Sequence, residues 1–288
     1  MKRSRVGYFA FLFPCLLTFC MTVLIPTISG FYYSFTNWDG IGNGANFTGL
    51  KNYVELFTDD PSFWNTFGYT LLFAIMTVAL VNLFGFLLAL LVTQKIRGQN
   101  VFRAIFFMPN LIGGVFVGFS WQFIYTQVFN FLGQKYSLPF LQDWLSDTKT
   151  GTIGLLIIVV WQMAGFMMLI YIAQLQNISD DVLEAAEIDG ATSWGKLTKI
   201  ILPLMRPAFV SGLFLTLSSS FKLFDQNLTL TGGSPSGTTE LLALNIYKTA
   251  FSQNMLGYAQ AKAAIFLIIA ATIGLLQLYF GKKKEVEM

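Results

Sequence analysis

Hydrophobic positions in this chain gather in long unbroken blocks rather than alternating with polar ones. The pattern marks six: Val6–Tyr33, Phe63–Val92, Arg103–Gln127, Gly151–Gln174, Leu204–Phe224 and Tyr258–Phe280. Each holds the roughly 20 helical residues needed to cross a hydrocarbon core about 30 Å thick, and each exceeds the 9–11 or so residues of a barrel strand. An open sheet edge would leave backbone groups unpaired in lipid, so the blocks predict six transmembrane α-helices. The connections are too short for a separate soluble domain, and residues 1–288 read as one all-α integral membrane domain.

One polar connection is longer than the rest on its side. Asn177–Pro203, between the fourth and fifth blocks, predicts two short helices broken near Asp189–Gly190. Ser179 is placed to cap the first, with Asp180 and Asp181 in its positive first turn, and Thr192 or Ser193 to cap the second. Gly190 supplies a turn residue, and Pro203 marks the entry to the fifth span. The segments Ser34–Ser62 and Gly232–Gly257, on the opposite side, are expected to be loop-like and either to receive a docking partner or to cover a closed site.

Composition agrees with the pattern: 55% of residues are hydrophobic and only 11% charged, which no water-soluble domain of this size needs. Charge placement adds orientation. Lys2, Arg3 and Arg5 precede the first block, the Thr93–Phe102 connection with Arg103 is basic, and so is the Lys282–Lys284 tail, whereas Ser34–Ser62 holds Lys51 beside Asp39, Glu55, Asp59 and Asp60. Both termini are therefore expected in the cytoplasm. The first block is too long for a signal-peptide core and lacks a clear cleavage site, which makes it a retained anchor helix. Cys15 and Cys20, five apart on that helix, do not face each other across a bridge and read as lipid-facing or packing residues. Histidine is absent, so metal and proton-shuttle chemistry lose their commonest side chain.

Tyr32, Tyr33, Trp38, Trp64, Trp144 and Tyr258 lie near the expected ends of spans, as an interfacial aromatic belt does. Gly113, Gly114 and Gly118 read as helix-packing points. Lys222, Asp225 and Lys262 lie toward the extracytoplasmic ends of the fifth and sixth blocks, and Lys222 and Asp225, three apart on a presumed helix, are expected to pair while reaching outward.

The most specific signal lies in the polar connection. Glu184-Ala185-Ala186 is followed after three residues by Gly190, after nine more by Ile200, and then by Leu202-Pro203. This spacing resembles the EAA motif of permeases in binding-protein-dependent ABC importers. The likeness continues through Ser34-Phe35-Thr36-Asn37-Trp38, Phe47-Thr48-Gly49-Leu50-Lys51-Asn52-Tyr53, Arg97-Gly98 with Phe102-Arg103, Met108-Pro109, Phe221-Lys222-Leu223-Phe224-Asp225 and Leu230-Thr231-Gly232-Gly233. Together these look like the carbohydrate permeases of the maltose type, and Trp38, Asn52-Tyr53 and Gly232-Gly233 resemble the first member of the permease pair. Ser179 departs from the family, in which many members carry proline.

The resemblance implies the type I importer fold: six spans and a cytoplasmic coupling loop at residues 179–203. It also implies a bacterial plasma membrane and an assembly with a second permease, two copies of an ATPase and an extracytoplasmic sugar-binding protein, with no nucleic acid. The chain has no G-x-x-x-x-G-K-[ST] phosphate loop, so ATP and Mg belong to the ATPase; the chain is not expected to be an enzyme or to hold a cofactor. Coupling is carried over to Glu184, Ala185, Ala186, Asp189, Gly190, Leu202 and Pro203. Passing motion between subunits favours a rigid protrusion, in which Ala185 and Ala186 permit close approach, Gly190 turns the chain, and Glu184 can pair with a basic or amide group opposite. The rival reading, a helix pair lying on the lipid surface, conflicts with the excess of Asp180, Asp181, Glu184, Glu187 and Asp189 over Lys196 and Lys199.

A sugar path needs hydrogen-bond partners for hydroxyls and rings for C–H faces. Trp161, Gln162 and Phe166 in the fourth span and Ser218, Ser219, Ser220 and Phe221 in the fifth, with Lys222 and Asp225 beyond, are the candidates; alternatively the serines bond their own helix carbonyls and the rings pack. The expected cargo is an oligosaccharide, with glycerol phosphodiesters and polyols as alternatives. An ion-coupled secondary transporter would show paired midplane charges and internal repeats, and neither is evident.

Overall fold

The computed structural model of the chain describes residues 5–42, 44–94 and 97–282. Lys2, Arg3, Lys283 and Lys284, counted above for orientation, and Lys95 of the basic connection lie outside the described residues. The described residues form helices and one isolated antiparallel bridge, Thr36 to Phe47, with no strand. They are α1 (Phe11–Tyr33), α2 (Lys51–Thr58), α3 (Pro61–Thr93), α4 (Gln99–Leu111), α5 (Gly114–Lys135), α6 (Thr148–Leu175), α7 (Asp180–Ile188), α8 (Ser193–Leu204), α9 (Arg206–Phe221), α10 (Asp225–Leu230), α11 (Leu242–Phe251) and α12 (Leu256–Lys282). α1, α3, α6 and α12 are each long and apolar enough to cross a membrane, and the bent pairs α4–α5 and α8–α9 bring the crossings to six if each pair is one span. Single π-helical turns sit at Cys20–Leu24, Ile124–Val128 and Leu197–Ile201.

The third and fifth blocks are therefore not the straight spans that hydropathy predicts. The third turns through 94° between α4 and α5, and the fifth through 65° between α8 and α9. Pro109 removes a donor from the end of α4, and Ile112 and Gly113 are extended, with ψ of 129° and 140°. At the second break Pro203 and Pro207 flank Met205. Hydropathy is blind to both because, averaged over each pair, the sequence stays apolar enough for a span in spite of Asn110 at the first break and Arg206 at the second.

The chain packs as two units. One comprises residues 65–244 with 270–282. Its core has two clusters: Phe73, Tyr125, Leu155, Ile158, Leu223 and Leu241 in one, and Val81, Phe86, Met167, Met168, Tyr171 and Met205 in the other. α6 supplies residues to both. It starts at an Asp147 cap that accepts from the amides of Lys149 (2.7 Å) and Thr150 (2.9 Å). Gly114 and Gly118 pack α5 on α10, as packing points should: a Cβ on Gly114 would stand 2.7 Å from Asp225 Cβ, and one on Gly118 would overlap the Thr229 hydroxyl.

The other unit comprises residues 5–64 with 245–269. The described residues of 34–62 are more than a loop: Asn52 Nδ2 donates to the carbonyls of Ser34 and Thr36 (both 2.8 Å), and α2 follows the Thr36–Phe47 bridge. Gly232–Gly257 likewise contains α11 rather than loop alone. Lys262, only 4% exposed, lies 2.8 Å from Asp60 Oδ2 and donates to Asn245 Oδ1 and Thr249 Oγ1 at 3.1 Å each. The Tyr258 hydroxyl donates to the same Asp60 oxygen at 2.8 Å, which makes Tyr258 a buried network member and corrects its assignment to the aromatic belt. Burial alone would raise the Asp60 carboxyl, but bonds from Lys262, the Phe63 amide and Tyr258 outweigh it and hold the group below the usual carboxylate range. Breaking such a pair from one side leaves an uncompensated charge and costs about 3–5 kcal/mol. Lys262→Met is expected to lower the amount of inserted protein sharply and Asp60→Asn/Lys262→Met to restore it, as read by immunoblot of membrane fractions; equal levels in all three would show the pair to be dispensable.

Candidate functional site

α6 presents Trp161 and Gln162 side by side, and their environments differ. Trp161 is 42% exposed, edge-on to Trp121 of α5 with centroids 5.7 Å apart. Gln162 is 5% exposed and fully used: Nε2 donates to the carbonyls of Ile112 (3.0 Å) and Pro109 (3.4 Å), and Oε1 accepts from Gln226 of α10 (2.8 Å). At the α4–α5 break the Pro109 carbonyl keeps a turn bond from the Ile112 amide at 3.3 Å, and Gln162 adds to it and takes the Ile112 carbonyl, as a polar side chain from a neighbouring helix does where backbone regularity is interrupted in lipid. Phe166 is half-buried.

On α9, Ser220 and Phe221 are buried, and the Ser220 hydroxyl donates to the Thr216 carbonyl at 2.7 Å. Ser218 is half-buried and Ser219 exposed. The helix ends at Phe221, so Lys222 caps one helix while Asp225 opens the next. Among the described ion pairs none joins these two, and the expected pairing on one continuous helix is corrected: the turn at Lys222–Phe224 takes them out of helical register. Both are exposed. Trp161, Ser219, Lys222 and Asp225 are thus the candidate path residues with surface to offer, while Gln162, Ser220 and Phe221 spend theirs inside the fold.

Sequence reasoning missed a second polar knot. The Tyr171 hydroxyl donates to Asn82 Oδ1, and Asn82 Nδ2 donates to Thr216 Oγ1 (2.9 Å) and to the Val78 carbonyl (2.6 Å), joining α3, α6 and α9. Gly212 leaves the room: a Cβ there would lie 2.6 Å from the Tyr171 hydroxyl oxygen and 2.9 Å from Asn82 Oδ1. An asparagine inside an apolar block was the available signal.

The connection between α6 and α9 folds as two helices, α7 and α8. Ser179 caps α7 by accepting from the Asp181 amide (3.2 Å), and Thr192, one of the two expected caps, accepts from the Gly195 amide (3.1 Å). α7 closes with paired bonds from Gly190 N to Glu187 O (3.0 Å) and from Ala191 N to Ala186 O (2.9 Å), the geometry that needs a left-handed residue; Gly190 has φ +79°. Ala186 is buried, whereas Glu184, Ala185 and Asp189 are exposed. Lys196 pairs with Glu187 across the turn and holds that carboxyl below its usual range. Leu202 and Pro203 lie in the last turn of α8. Ile188 and Trp194, 86% and 73% exposed, project apolar surface from the same element. Among the described residues no group of three or more His, Cys, Asp or Glu side chains is placed to hold a metal.

Residues 81–286 match the model of the family described as "Binding-protein-dependent transport system inner membrane component". The chain is 48% identical over 286 residues to a probable starch degradation products transport system permease protein, AmyD, of Thermoanaerobacterium thermosulfurigenes, covering 99% of this chain and 97% of that one. It is 34% identical over 266 residues to the multiple sugar-binding transport system permease protein MsmF of Streptococcus mutans, covering 91% and 90%. Its fold matches a chain of a bacterial alginate ABC transporter solved in complex with alginate pentasaccharide-bound periplasmic protein, with a TM-score of 0.82, 21% identity, and coverage of 98% and 96%. Two bent apolar helix pairs, a capped helix pair following α6, and these likenesses along the whole chain lead to one assignment: this chain belongs to the family of binding-protein-dependent transport system inner membrane components and has the type I ABC importer permease fold.

Proposed function

We propose that the chain is the first permease of an ATP-driven importer whose cargo is an oligosaccharide of the starch-degradation type. The observation that carries the cargo is the 48% identity, end to end, with a permease named for starch degradation products. As a permease of this family the chain is a multi-pass membrane protein and a transport component, not an enzyme. Sugars present hydroxyls and C–H faces, and the exposed edge of Trp161 beside Trp121, with Ser219, Lys222 and Asp225, offers a ring platform and polar groups of the right kind. The serines and charges orient the cargo, and the rings stack on it.

The α7–α8 element docks on the ATPase. Exposed Glu184, Ala185 and Asp189 with Ile188 and Trp194 make a short, rigid, partly apolar knob, which suits a groove on a soluble partner. In this reading the partners are a second permease, two ATPase copies that hold ATP and Mg, and an extracytoplasmic sugar-binding protein; both termini face the cytoplasm across a bacterial plasma membrane. ATP-driven closure of the ATPases opens the path outward, and hydrolysis returns it inward.

Tagging the chain and extracting it gently from its own membrane tests the assembly. Copurification of a stoichiometric ATPase and a second permease is expected, together with ATP-dependent uptake of maltotriose in vesicles supplied with the binding protein. A lone polypeptide that transports without ATP would overturn the reading.

A further inference from the structure

α6 reaches both helix breaks with a glutamine. Gln162, midway along the helix, feeds its amide to the Pro109 and Ile112 carbonyls at the α4–α5 break, and Gln174, in the last turn of the same helix, donates Nε2 to the Leu204 carbonyl at 3.1 Å. Leu204 is the last residue of α8, where the chain turns through 65° into α9. The final carbonyls of a helix have no partner within it, and here one is taken by a side chain that no sequence motif marks.

The two breaks lie at different functional elements. Beside the first stand Trp161 and Gln226; the second terminates the helix pair that carries Glu184–Gly190. Both are reached from α6, which runs 28 residues without a break and between the two glutamines buries Met167, Met168 and Tyr171 in the cluster that also takes Met205, the residue at the second turn. A shift of α8 therefore meets this cluster and α6 in two ways: through packing of Leu197, Ile201 and Leu202 with the adjoining Met205, which is apolar and tolerant of sliding, and through the Gln174 bond, which is directional and fixes register.

We propose that Gln174 is a positioning residue for transport: its bond to the Leu204 carbonyl ties the docking helices to α6, so that movement of the former is passed to the sugar path instead of being absorbed at the α8–α9 turn. This rests on the importer reading given above. Gln174 touches neither sugar nor nucleotide. Its effect is on how tightly ATP use is tied to uptake.

The test uses the full complex reconstituted with its binding protein and maltotriose, comparing Gln174→Met, which keeps length but removes the donor, with Gln174→Lys, which keeps a donor at a helix C-terminus where a cation is favoured. Gln174→Met is expected to assemble and hydrolyse ATP while sugar imported per ATP falls about fivefold or more, in the range of ordinary coupling energies. Gln174→Lys is expected to restore most of that ratio. A merely structural glutamine would change the yield of complex and leave the ratio alone. An unaltered ratio in Gln174→Met would overturn the proposal, as would a loss in Gln174→Lys as deep as in Gln174→Met. If the unsubstituted complex hydrolyses ATP without importing maltotriose, it is the cargo reading that fails, and the ratio is then taken with the sugar that stimulates hydrolysis.

Discussion

Gly165→Val is expected to keep the chain from accumulating in the membrane. Gly165 is where α6 crosses α4, and a Cβ there would fall on the Phe106 carbonyl oxygen and 3.0 Å from Phe107 Cα. Both obstacles are backbone, so no side chain can rotate away, and α4 would have to leave α6. That separation would also pull the Ile112 carbonyl from Gln162 and strip the side-chain bond from the Pro109 carbonyl, exposing an acceptor to an apolar surrounding. Losses of more than about 4–5 kcal/mol arise from just such overpacking combined with an unsatisfied polar group. Gly68 of α3 is the control, since a Cβ there meets nothing within 4 Å. Immunoblots of membrane fractions should show Gly68→Val near the parental level and Gly165→Val close to absent; parental levels of both would mean the crossing is looser than the geometry describes.

Gly190→Val should behave in the opposite way, inserting normally but failing to import sugar. Nothing lies within 4 Å of a Cβ at Gly190, so no clash is created. The cost comes from φ +79°, a conformation that disfavours a β-branched side chain by about 1–2 kcal/mol. A membrane fold of this size survives that; the direction of the α7–α8 turn does not, because the easiest relief is to move Gly190 out of the left-handed region and abandon the closing bonds to Glu187 and Ala186. Gly190→Asn, which tolerates that region better, should retain much of the uptake. Maltotriose uptake normalised to inserted protein separates the three cases. Normal uptake by Gly190→Val would count against a docking role for this element.

The contrast between these glycines shows what sequence makes legible. Six apolar blocks, the α7 and α8 caps and the turn at Gly190 were readable because each depends on residues within a few positions: a run of apolar side chains, a serine or threonine before an amide, a glycine after a helix. The motif at Glu184–Pro203 added the family. The breaks at Ile112–Gly113 and Met205 were not readable, although Pro109 and Pro203 stood beside them, because proline within a membrane helix can be tolerated and only the supporting amide from another helix decides. Gln162 looked like a sugar ligand for the same reason. Its exposure depends on residues about 50 positions away, and the carbonyls of Pro109 and Ile112 claim its donors. A pairing of Lys222 with Asp225 assumes a continuous helix that the chain does not form, and Lys262 finds its counter-ion at Asp60, far away in the sequence.

The π-helical turns at Cys20–Leu24, Ile124–Val128 and Leu197–Ile201 bear on how these spans can be probed. A π turn accommodates one residue more than an α turn, and one residue is about 100° of rotation. In α1, α5 and α8 the stripe of positions facing a neighbour before the turn is therefore not the stripe facing it afterwards. A cysteine scan phased from one end of α5 would place the reactive face correctly up to Phe123 and then drift onto the wrong side of the helix from Phe129 onward. Each half needs its own phase, and a labelling pattern that shifts by a single position across Ile124–Val128 is the signature to seek.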